Sequence, residues 1–372
     1  MVTNTRPRVL VVGMGDTGVL TAIRLGPHAD VVGISTKAEF VSGQELGLRL
    51  ARPEAWMRDY RVGFDRFRGL DDVRIVHGTA SSLDPESRRV RVTLADGTTA
   101  SEEYDVLVIA TGVTNGFWRE PSLQTSEGVS DALARAHARL SDAAKVVVIG
   151  GGAAAMSSAA QVAECWPDKQ VHLYFPGERG LPQHAPRTWN RVARRLTGLG
   201  VALHPGHRAV LPADGTNDLS AGPVRWQTGQ PPTEADVVLW AIGQVQPNTG
   251  WLPDHLLDDR GFVLVEPTLA VSGQDHIFAV GDIAAVDALR TSARNQGHKL
   301  VGRNVRAHVA GRSLGTYRTP GRRWGSVLGP LRDGLVVFAP NGRGFRFPAW
   351  SIDALLQRFV VRRGIYGGVR RD

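Results

Sequence analysis

Runs of consecutive apolar residues mark two places in the chain that resemble one another. Val9 to Val12 is apolar throughout, and Val146 to Ile149 repeats the pattern 137 residues later. An apolar run without polar alternation is typical of a parallel strand that is buried on both faces. Each run leads into a glycine-rich turn and then a helical pattern, so residues 8–35 and 145–175 each predict a βαβ unit.

The first glycine-rich turn reads Gly13-x-Gly15-x-x-Gly18, with Asp16 and Thr17 before the last glycine. In a dinucleotide-binding turn the first glycine permits the sharp bend, the second lets a pyrophosphate approach, and the third allows close helix–strand packing. The phosphates then lie against unpaired N–H groups at the helix N-terminus. The alternative is a glycine turn without a ligand, but the flanking strand and helix favour a nucleotide.

The adenosine end of this first site lacks a residue type that such folds normally have. An Asp or Glu about 20 residues beyond the turn usually binds the ribose hydroxyls. Here the second strand ends at Ser35, Asp30 precedes the strand and Glu39 lies beyond it. Ser35 can make a weaker hydrogen bond and Lys37 can reach a phosphate, so we expect weaker adenosine binding or other contacts.

The second turn, Gly150-Gly-Gly152-Ala-Ala-Ala155, has alanine at the position of the third glycine. The next strand, which ends near Phe175, is not followed directly by a carboxylate that would reject a 2′-phosphate. Arg179 either favours such a phosphate or is a solvated surface residue. NADPH and NADH therefore both remain candidates.

Cysteine usage and apolar run lengths exclude several function classes. The 372 residues include one cysteine, Cys165, which cannot form an intrachain disulfide, a CxxC redox pair or a cysteine zinc cluster, and we expect no metal. No stretch approaches 18 uninterrupted apolar residues, so we expect no spanning helix. The first strand begins by Arg8, which leaves no room for a signal peptide and predicts a cytoplasmic protein.

The net charge of +8 comes from the C-terminal region. From Arg318 to Asp372 there are eleven arginines, three aspartates and no lysine or glutamate, so the rest of the chain is neutral. We expect no nucleic-acid partner, because no recognition motif accompanies these charges and aromatic residues are not interleaved with them.

Four segments together resemble the FAD-dependent pyridine-nucleotide oxidoreductases with two dinucleotide-binding domains. They are the Gly13 turn, Tyr104 to Gly112, Ala235 to Asn248, and Ile277 to Asp282. The resemblance is closest to the branch of ferroptosis suppressor protein, apoptosis-inducing-factor-like proteins and type II NADH dehydrogenases. It implies an α/β fold of two Rossmann-like domains with a small C-terminal region. The implied domains are an FAD domain at 1–118 and 250–315, an inserted NAD(P)H domain at 119–249, and the basic region 316–372.

The same resemblance assigns cofactor contacts by position. For FAD they are Gly13, Gly15, Asp16, Thr17, Gly18, Ser35, Lys37, Arg49, Ala80, Ala110, Thr111, Gly112, Gly281 and Asp282. For NADH or NADPH they are Gly150, Gly152, Ala155, Ser157, Phe175, Arg179 and Gly243. Among them, Asp282 would bind the ribityl hydroxyls. Ser157 stands where relatives usually have a glutamate near the nicotinamide ribose.

The single cysteine also decides how electrons leave. Disulfide reductases of this fold use a cysteine pair, which this chain lacks, so the electrons must leave from the flavin itself. Arg294, Gln296 and Lys299 follow the Asp282 motif and are candidates to hydrogen-bond an acceptor or relay its protons. The alternative is a helix that packs under the flavin and carries solvated charges.

The C-terminal region combines apolar residues at helical spacing, among them Trp350 and Leu355, with arginines at 362–371. Such a stretch either lies on an anionic membrane surface, or packs on the protein or on the partner of a homodimer.

These observations predict an enzyme, an FAD-dependent NAD(P)H dehydrogenase with a quinone-like acceptor, in the cytoplasm or at the cytoplasmic face of a membrane. One alternative is a reductase of a small acidic redox protein of the ferredoxin type, docked by the basic tail. The other is a nucleotide-sensing flavoprotein without turnover, which Ser35 and Ser157 suggest.

Overall fold

The computed structural model describes residues 6–116, 120–213, 215–243, 245–286, 296–319 and 325–370. The strands are β1 Arg8–Val12, β2 Asp30–Ser35, β3 Phe40–Val41, β4 Arg61–Val62, β5 Val73–Asp84, β6 Arg89–Leu94, β7 Thr99–Glu103, β8 Val106–Ile109, β9 Val113–Thr114, β10 Lys145–Ile149, β11 Gln170–Tyr174, β12 Ala202–His204, β13 Val237–Trp240, β14 Gln246–Pro247, β15 Ile277–Ala279, β16 Gly325–Ser326, β17 Gly334–Phe338 and β18 Gly344–Pro348. The α-helices are α1 Asp16–Leu25, α2 Leu46–Ala51, α3 Pro53–Tyr60, α4 Ser126–Asp142, α5 Ala153–Cys165, α6 Pro186–Gly198, α7 Gly297–Val309 and the short α8 Ala349–Ser351. A π-helix, Ile352–Ile365, continues α8, and 3₁₀ turns occupy Phe64–Arg66, Arg68–Leu70 and Asp254–Leu256.

The larger sheet has seven strands in the order β15-β8-β1-β2-β5-β6-β7. Strands β15, β8, β1 and β2 and the start of β5 are parallel, whereas β6 and β7 are antiparallel. The apolar run from Val9 to Val12 forms most of β1 in the interior of this sheet, where each residue is at most 2% exposed. This confirms the predicted strand, because a parallel strand covered on both faces needs no polar side.

A second sheet of four parallel strands, in the order β12-β11-β10-β13, contains the repeated apolar run. β10 is central, and Val146 to Ile149 are at most 3% exposed. Helices α4, α5 and α6 pack on one face of this sheet through residues such as Leu140, Ala159 and Val192. The two sheets with their helices confirm the predicted α/β fold with two Rossmann-like units.

Two chain crossings between the sheets form a short antiparallel ribbon of β9 and β14, in which Val113 faces Pro247 and Thr114 faces Gln246. Asn248 fixes this ribbon by accepting from Thr114 Oγ1 (2.7 Å) and donating to Thr111 O (3.0 Å). The domain boundaries drawn from the sequence fall close to these crossings and remain a prediction.

The C-terminal region packs against both sheet units. Val327, Leu328 and Leu331 join the core around α5 and α2, and the same region forms a small sheet of β16, β17 and β18. Further on, Tyr366 packs edge-on against Phe40 (5.6 Å between ring centroids), beside the larger sheet. Within the ranges given above, no helix combines the length and apolar composition that a membrane crossing requires.

Candidate cofactor-binding sites

A cavity of about 740 Å³ opens at the carboxyl ends of the parallel strands β1, β2 and β8. Its wall contains Val12, Ser35 and Ala110, which end or follow these strands, and Gly281 beyond β15. Ligands of open α/β sheets bind at this edge, and the volume lies within the range of roughly 300 to 1,000 Å³ usual for small-molecule and cofactor sites.

Most of the predicted FAD contacts lie on this wall. They are Gly13, Gly15, Asp16, Thr17, Ser35, Lys37, Ala80, Ala110, Thr111, Gly112, Gly281 and Asp282. The fold thus brings these residues together from five separate segments of the chain. Gly18 and Arg49 lie outside the wall and are buried.

Two glycines of the first turn are required because the backbone of other residues approaches them closely. Gly13 has φ +98°, and a Cβ there would lie 2.5 Å from the carbonyl oxygen of Ala110. A Cβ at Gly18 would lie only 1.8 Å from the carbonyl oxygen of Gly13, whereas one at Gly15 would meet open space. The first helical bond of α1 runs from Val19 N to Gly15 O (3.0 Å), so the earlier amides of this turn have no partner within the helix. The turn therefore fits a phosphate group.

Asp16 holds a loop that sequence reasoning missed. Its carboxylate accepts from Ser42 Oγ (2.7 Å), from Gly43 N (3.0 Å) and from Gln44 Nε2 (3.3 Å). An acidic residue in the first helical turn also suits the positive end of the helix dipole. Gly43 and Gln44 consequently lie on the cavity wall. No sequence motif marks them, because their position depends on a contact across 26 to 28 residues.

Ser35 and Lys37 form a turn at the end of β2, where the sequence predicts the adenosine of FAD. Ser35 Oγ donates to Lys37 O (2.7 Å) and accepts from Lys37 N (3.1 Å). The Lys37 ammonium donates to Glu120 O (3.0 Å) and Ser122 O (2.7 Å), so it ties β2 to the first crossing. Burial lowers the pKa of Lys37 to about 8, opposed by the charge of Glu120 and assisted by that of Arg49. Two of its donors are thus already used within the protein.

Arg49, which the sequence predicts to contact the FAD phosphates, has its guanidinium over the ring of Trp56, 4.4 Å from the centroid. It lies on α2, whose residues are all buried. The Trp56 indole donates to Gln44 O (3.0 Å), so this stack supports the loop on the cavity wall from behind.

The second glycine turn has the backbone form of the first. Gly152 is the extended N-cap of α5 (φ −96°, ψ 178°), as Gly15 is of α1 (φ −78°, ψ −164°). Gly150 has φ +149°, and a Cβ there would lie 2.1 Å from the carbonyl oxygen of Ala241. Ala155 is fully buried at the position of the third glycine. The start of α5 therefore offers the same kind of phosphate cradle.

The other predicted nucleotide contacts have differing surroundings. Phe175 is buried against Trp189 (5.3 Å between centroids), and Gly243 has φ +71° with open space around a Cβ. The Arg179 guanidinium donates to Pro182 O and His184 O (3.3 Å each) and so shapes its own loop. Ser157 is buried, and its hydroxyl donates to Leu328 O (3.3 Å) in the C-terminal region.

Comparison with known proteins agrees with this geometry. Residues 7–307 match the family described as pyridine nucleotide-disulphide oxidoreductase. Oxidoreductase ptaL of Pestalotiopsis fici is 24% identical over 95% of this chain and 96% of its own length. The alternative NAD(P)H-ubiquinone oxidoreductase C1 of Arabidopsis thaliana is 25% identical over 94% of this chain and 78% of its own length. The structure of NDH2 from Plasmodium falciparum in complex with NADH shares the fold, with a TM-score of 0.70, 10% identity and 94% of each chain covered.

This chain belongs to the pyridine nucleotide-disulphide oxidoreductase family. The predicted resemblance is therefore confirmed at the level of the family and its fold. FAD and NAD(P)H are the cofactors that this family membership supports. Both glycine turns have the backbone form of a phosphate cradle, and the first one lies on the wall of the cavity.

The single cysteine of this chain is not part of the cavity wall. Cys165 ends α5 and its thiol donates to Ala51 O (3.3 Å). Burial raises the pKa of this thiol, which disfavours the reactive thiolate. The disulfide in the family's name thus has no counterpart within this chain.

Two of the three predicted acceptor residues, Gln296 and Lys299, lie at the start of α7. Gln296 is its N-cap with φ +60°, and Gln296 and Lys299 are both exposed and are not part of the cavity wall. Arg294 lies outside the described residues. His298, between them, is buried, which lowers its pKa to about 4, with the charges of Arg24 and Lys299 adding to the effect. Its imidazole is therefore neutral at physiological pH.

Proposed function

We propose that this chain transfers a hydride from NAD(P)H to FAD and passes the electrons to a quinone-like acceptor without a redox-active disulfide. The observation that carries the proposal is the pairing of two phosphate cradles, at Gly15 and Gly152, with a single cysteine that is not part of the FAD cavity wall. Bound FAD supplies the chemistry of accepting a hydride and releasing electrons, and the protein supplies binding and orientation.

The first turn and the end of β15 hold FAD in this proposal. The amides at the start of α1 bind its pyrophosphate, and Asp282 accepts hydrogen bonds from its ribityl hydroxyls. Gly281 has φ +85°, and a Cβ there would lie 3.1 Å from Thr17 Oγ1, so a side chain would crowd the turn. The amides at the start of α5 bind the phosphates of NAD(P)H in the same way.

The crossings keep the two cradles in a fixed relation. Thr111 follows β8 on the cavity wall and donates to Asn248 O (3.0 Å) from the return crossing. The bonds of Asn248 to Thr111 and Thr114 tie the return crossing to the first one. In this proposal that connection holds the two cradles in the relation that hydride transfer requires.

The acceptor class is supported by the relatives and by the chain itself. The Arabidopsis relative is named for ubiquinone, and its alignment covers 94% of this chain. Within this chain, Cys165 cannot form the cysteine pair that a disulfide substrate would need. An acceptor that takes electrons directly from the flavin is therefore favoured.

An anaerobic spectrum tests the proposal. Either NADH or NADPH should bleach the visible absorbance of the bound flavin, and a soluble quinone analogue should restore it. The Cys165→Ser variant should retain full quinone turnover, because the thiol has no part in the reaction.

Three results would change the assignment. A flavin that neither nucleotide bleaches contradicts the proposal. Reoxidation by a ferredoxin-type protein but not by quinone favours the reductase alternative. A nucleotide that binds without reducing the flavin favours the sensor.

We further propose that the acceptor is met at an anionic membrane surface. Among the described residues, ten large hydrophobic side chains are strongly exposed, and six of them lie between 345 and 365. These six are Phe345, Trp350, Leu355, Phe359, Val360 and Ile365. Trp350 is 71% exposed, and Arg358 and Arg363 are exposed on the same segment. Exposed aromatic and apolar residues flanked by arginines suit the interface of an anionic bilayer.

Part of the basic tail is not available for lipid. Arg362 pairs with Asp59 (3.0 Å), and Arg370 pairs with Asp71 through two bonds (2.7 and 2.6 Å). Co-sedimentation with anionic vesicles should be weakened by Trp350→Ala and by Phe359→Ala, because each removes an exposed aromatic side chain that would contact the lipid. It should be unchanged by the exposed control Val210→Ala, which lies elsewhere. Equal binding to neutral vesicles, or no binding, contradicts the membrane proposal.

A further inference from the structure

The adenosine end of the FAD cavity lacks the acid that usually ends β2 and accepts the ribose hydroxyls. Ser35 stands there, but its hydroxyl already donates to Lys37 O and accepts from Lys37 N. The ammonium of Lys37 is a donor only, and it is directed at two backbone carbonyls. Neither side chain offers the strong acceptor that a pair of ribose hydroxyls requires.

Glu39 brings a carboxylate to the same cavity from four residues further along. It lies on the wall with Val41, while Phe40 between them points into the core and is 2% exposed. This alternation follows from the extended backbone at the start of β3. The position lies 21 residues beyond Gly18, within the usual spacing between the glycine turn and its ribose-binding acid.

The Glu39 carboxylate is held in place by one of its two oxygens. Oε1 accepts from Arg61 Nε (2.5 Å) and from Ser126 Oγ (2.6 Å). Arg61 also donates to Ser130 Oγ (2.5 Å), so its guanidinium is fixed by α4. Among the residues that the structure describes, no group donates to Oε2. The result is a pre-oriented acceptor with a free oxygen.

The ion pair with Arg61 also makes this carboxylate compatible with a nearby pyrophosphate. An unpaired carboxylate would repel the phosphates of FAD across the cavity. The Arg61 guanidinium compensates that charge, with both side chains less than a fifth exposed (17% and 18%). Charged acceptors make stronger hydrogen bonds to hydroxyl groups than neutral ones do.

We propose that Glu39 replaces the missing strand-end acid and accepts hydrogen bonds from the adenosine ribose of FAD through Oε2. The assignment concerns cofactor binding and does not depend on which acceptor takes the electrons. It also explains how a chain with serine at the end of β2 retains an adenosine site.

The test compares two ligands on the apoprotein by the quenching of flavin fluorescence. One is FAD, and the other is an FAD analogue whose adenosine lacks the 2′-hydroxyl. The wild type should bind FAD about ten- to hundredfold more tightly than the analogue, the ratio that one hydrogen bond to a charged group provides. Glu39→Gln should bind FAD more weakly, bind the analogue almost unchanged, and lose most of this ratio.

Two control variants separate a direct contact from a structural effect. Ser126→Ala removes a bond to Oε1 but leaves the carboxylate, so the ratio should persist. Glu120→Gln alters the other acid next to the adenosine end of the wall and should also retain the ratio. If Glu39→Gln fails to fold, Glu39→Asp replaces it. This variant keeps the negative charge but has a shorter side chain, so the same loss of the affinity ratio between FAD and the analogue is expected. A ratio that persists in the folded Glu39 variants, or that disappears in Glu120→Gln, overturns the proposal.

Discussion

The two glycine turns have nearly the same backbone but different surroundings. Helix α1 begins at the wall of an open cavity. Gly18, the third glycine of the first turn, has no room for a methyl group. Helix α5 begins in the same extended form but carries Ala155 at the matching position. Further along, α5 is covered by α2 and by Leu328 of the C-terminal region. The turn thus determines the phosphate cradle, whereas the neighbouring segments determine what the rest of each helix can contact.

The largest effect is expected when the third residue of each turn is replaced by the residue of the other turn, alanine at Gly18 and glycine at Ala155. Gly18→Ala places a Cβ 1.8 Å from the Gly13 carbonyl oxygen. We expect a loss of about 3 kcal/mol or more in the free energy of unfolding, together with loss of bound flavin, because the turn must move. Ala155→Gly should cost only about 1 kcal/mol, the usual helix cost of glycine. Urea unfolding and the flavin content of the purified variants measure both effects. A Gly18→Ala variant with wild-type stability and flavin content would show that the first turn can accommodate a methyl group.

The second test asks whether the C-terminal tail is a structural part of the half of the molecule that contains the larger sheet. Tyr366 packs edge-on between Phe40 and Phe67, at 5.6 and 5.3 Å between centroids. Tyr366→Ala should lower the free energy of unfolding by about 2 to 3 kcal/mol, since it removes an aromatic ring from a packed cluster. Tyr366→Phe is the matched control and should be nearly neutral. Thermal unfolding of the two variants measures this difference. If the tail does not contribute to the packing, Tyr366→Ala and Tyr366→Phe should unfold at the same temperature.

The third test uses acid to probe the helix that follows β15. Burial lowers the pKa of His298 to about 4, below the value of 6.5 for an exposed histidine. The unfolded chain therefore binds a proton that the native protein excludes, and stability is lost as the pH falls from about 6.5 through 4. His298→Gln should make this loss shallower, whereas His28→Gln, at an exposed position, should not. Urea unfolding at pH 7 and pH 5 gives the comparison, and equal slopes for wild type and His298→Gln would contradict it.

The smallest effect is expected at Arg179, in the half of the molecule that contains the four-stranded sheet. Both terminal nitrogens of Arg179 donate to carbonyls of its own loop. Arg179→Ala should therefore weaken NADH and NADPH equally, by a factor of about three to ten, which corresponds to the loss of roughly one hydrogen bond. Titration of each nucleotide measures this. A selective loss of NADPH affinity would instead assign Arg179 to the 2′-phosphate.

Sequence patterns predicted the parts of the site in which backbone form sets the chemistry. Gly13 and Gly150 predict turns in which a side chain would collide with the backbone beyond a neighbouring strand. Both turns occur where the sequence pattern predicts them. The pattern did not predict Gly43 or Gln44, because their places depend on contacts between distant segments. Lys37 shows the same limit, since its ammonium binds carbonyls of the first crossing instead of standing free.

The chain's sequence alone determined the two Rossmann-like units, the family and the absence of a cysteine pair, because local hydrophobic pattern, turn chemistry and residue counts are properties of short segments. Only the tertiary structure decided which side chains surround each cradle. It directed Ser157 to Leu328, stacked Arg49 on Trp56 and brought Glu39 to the cavity wall. The physical reason is that a side chain's partner is set by the packing of elements far apart in the chain, and no local periodicity records that packing.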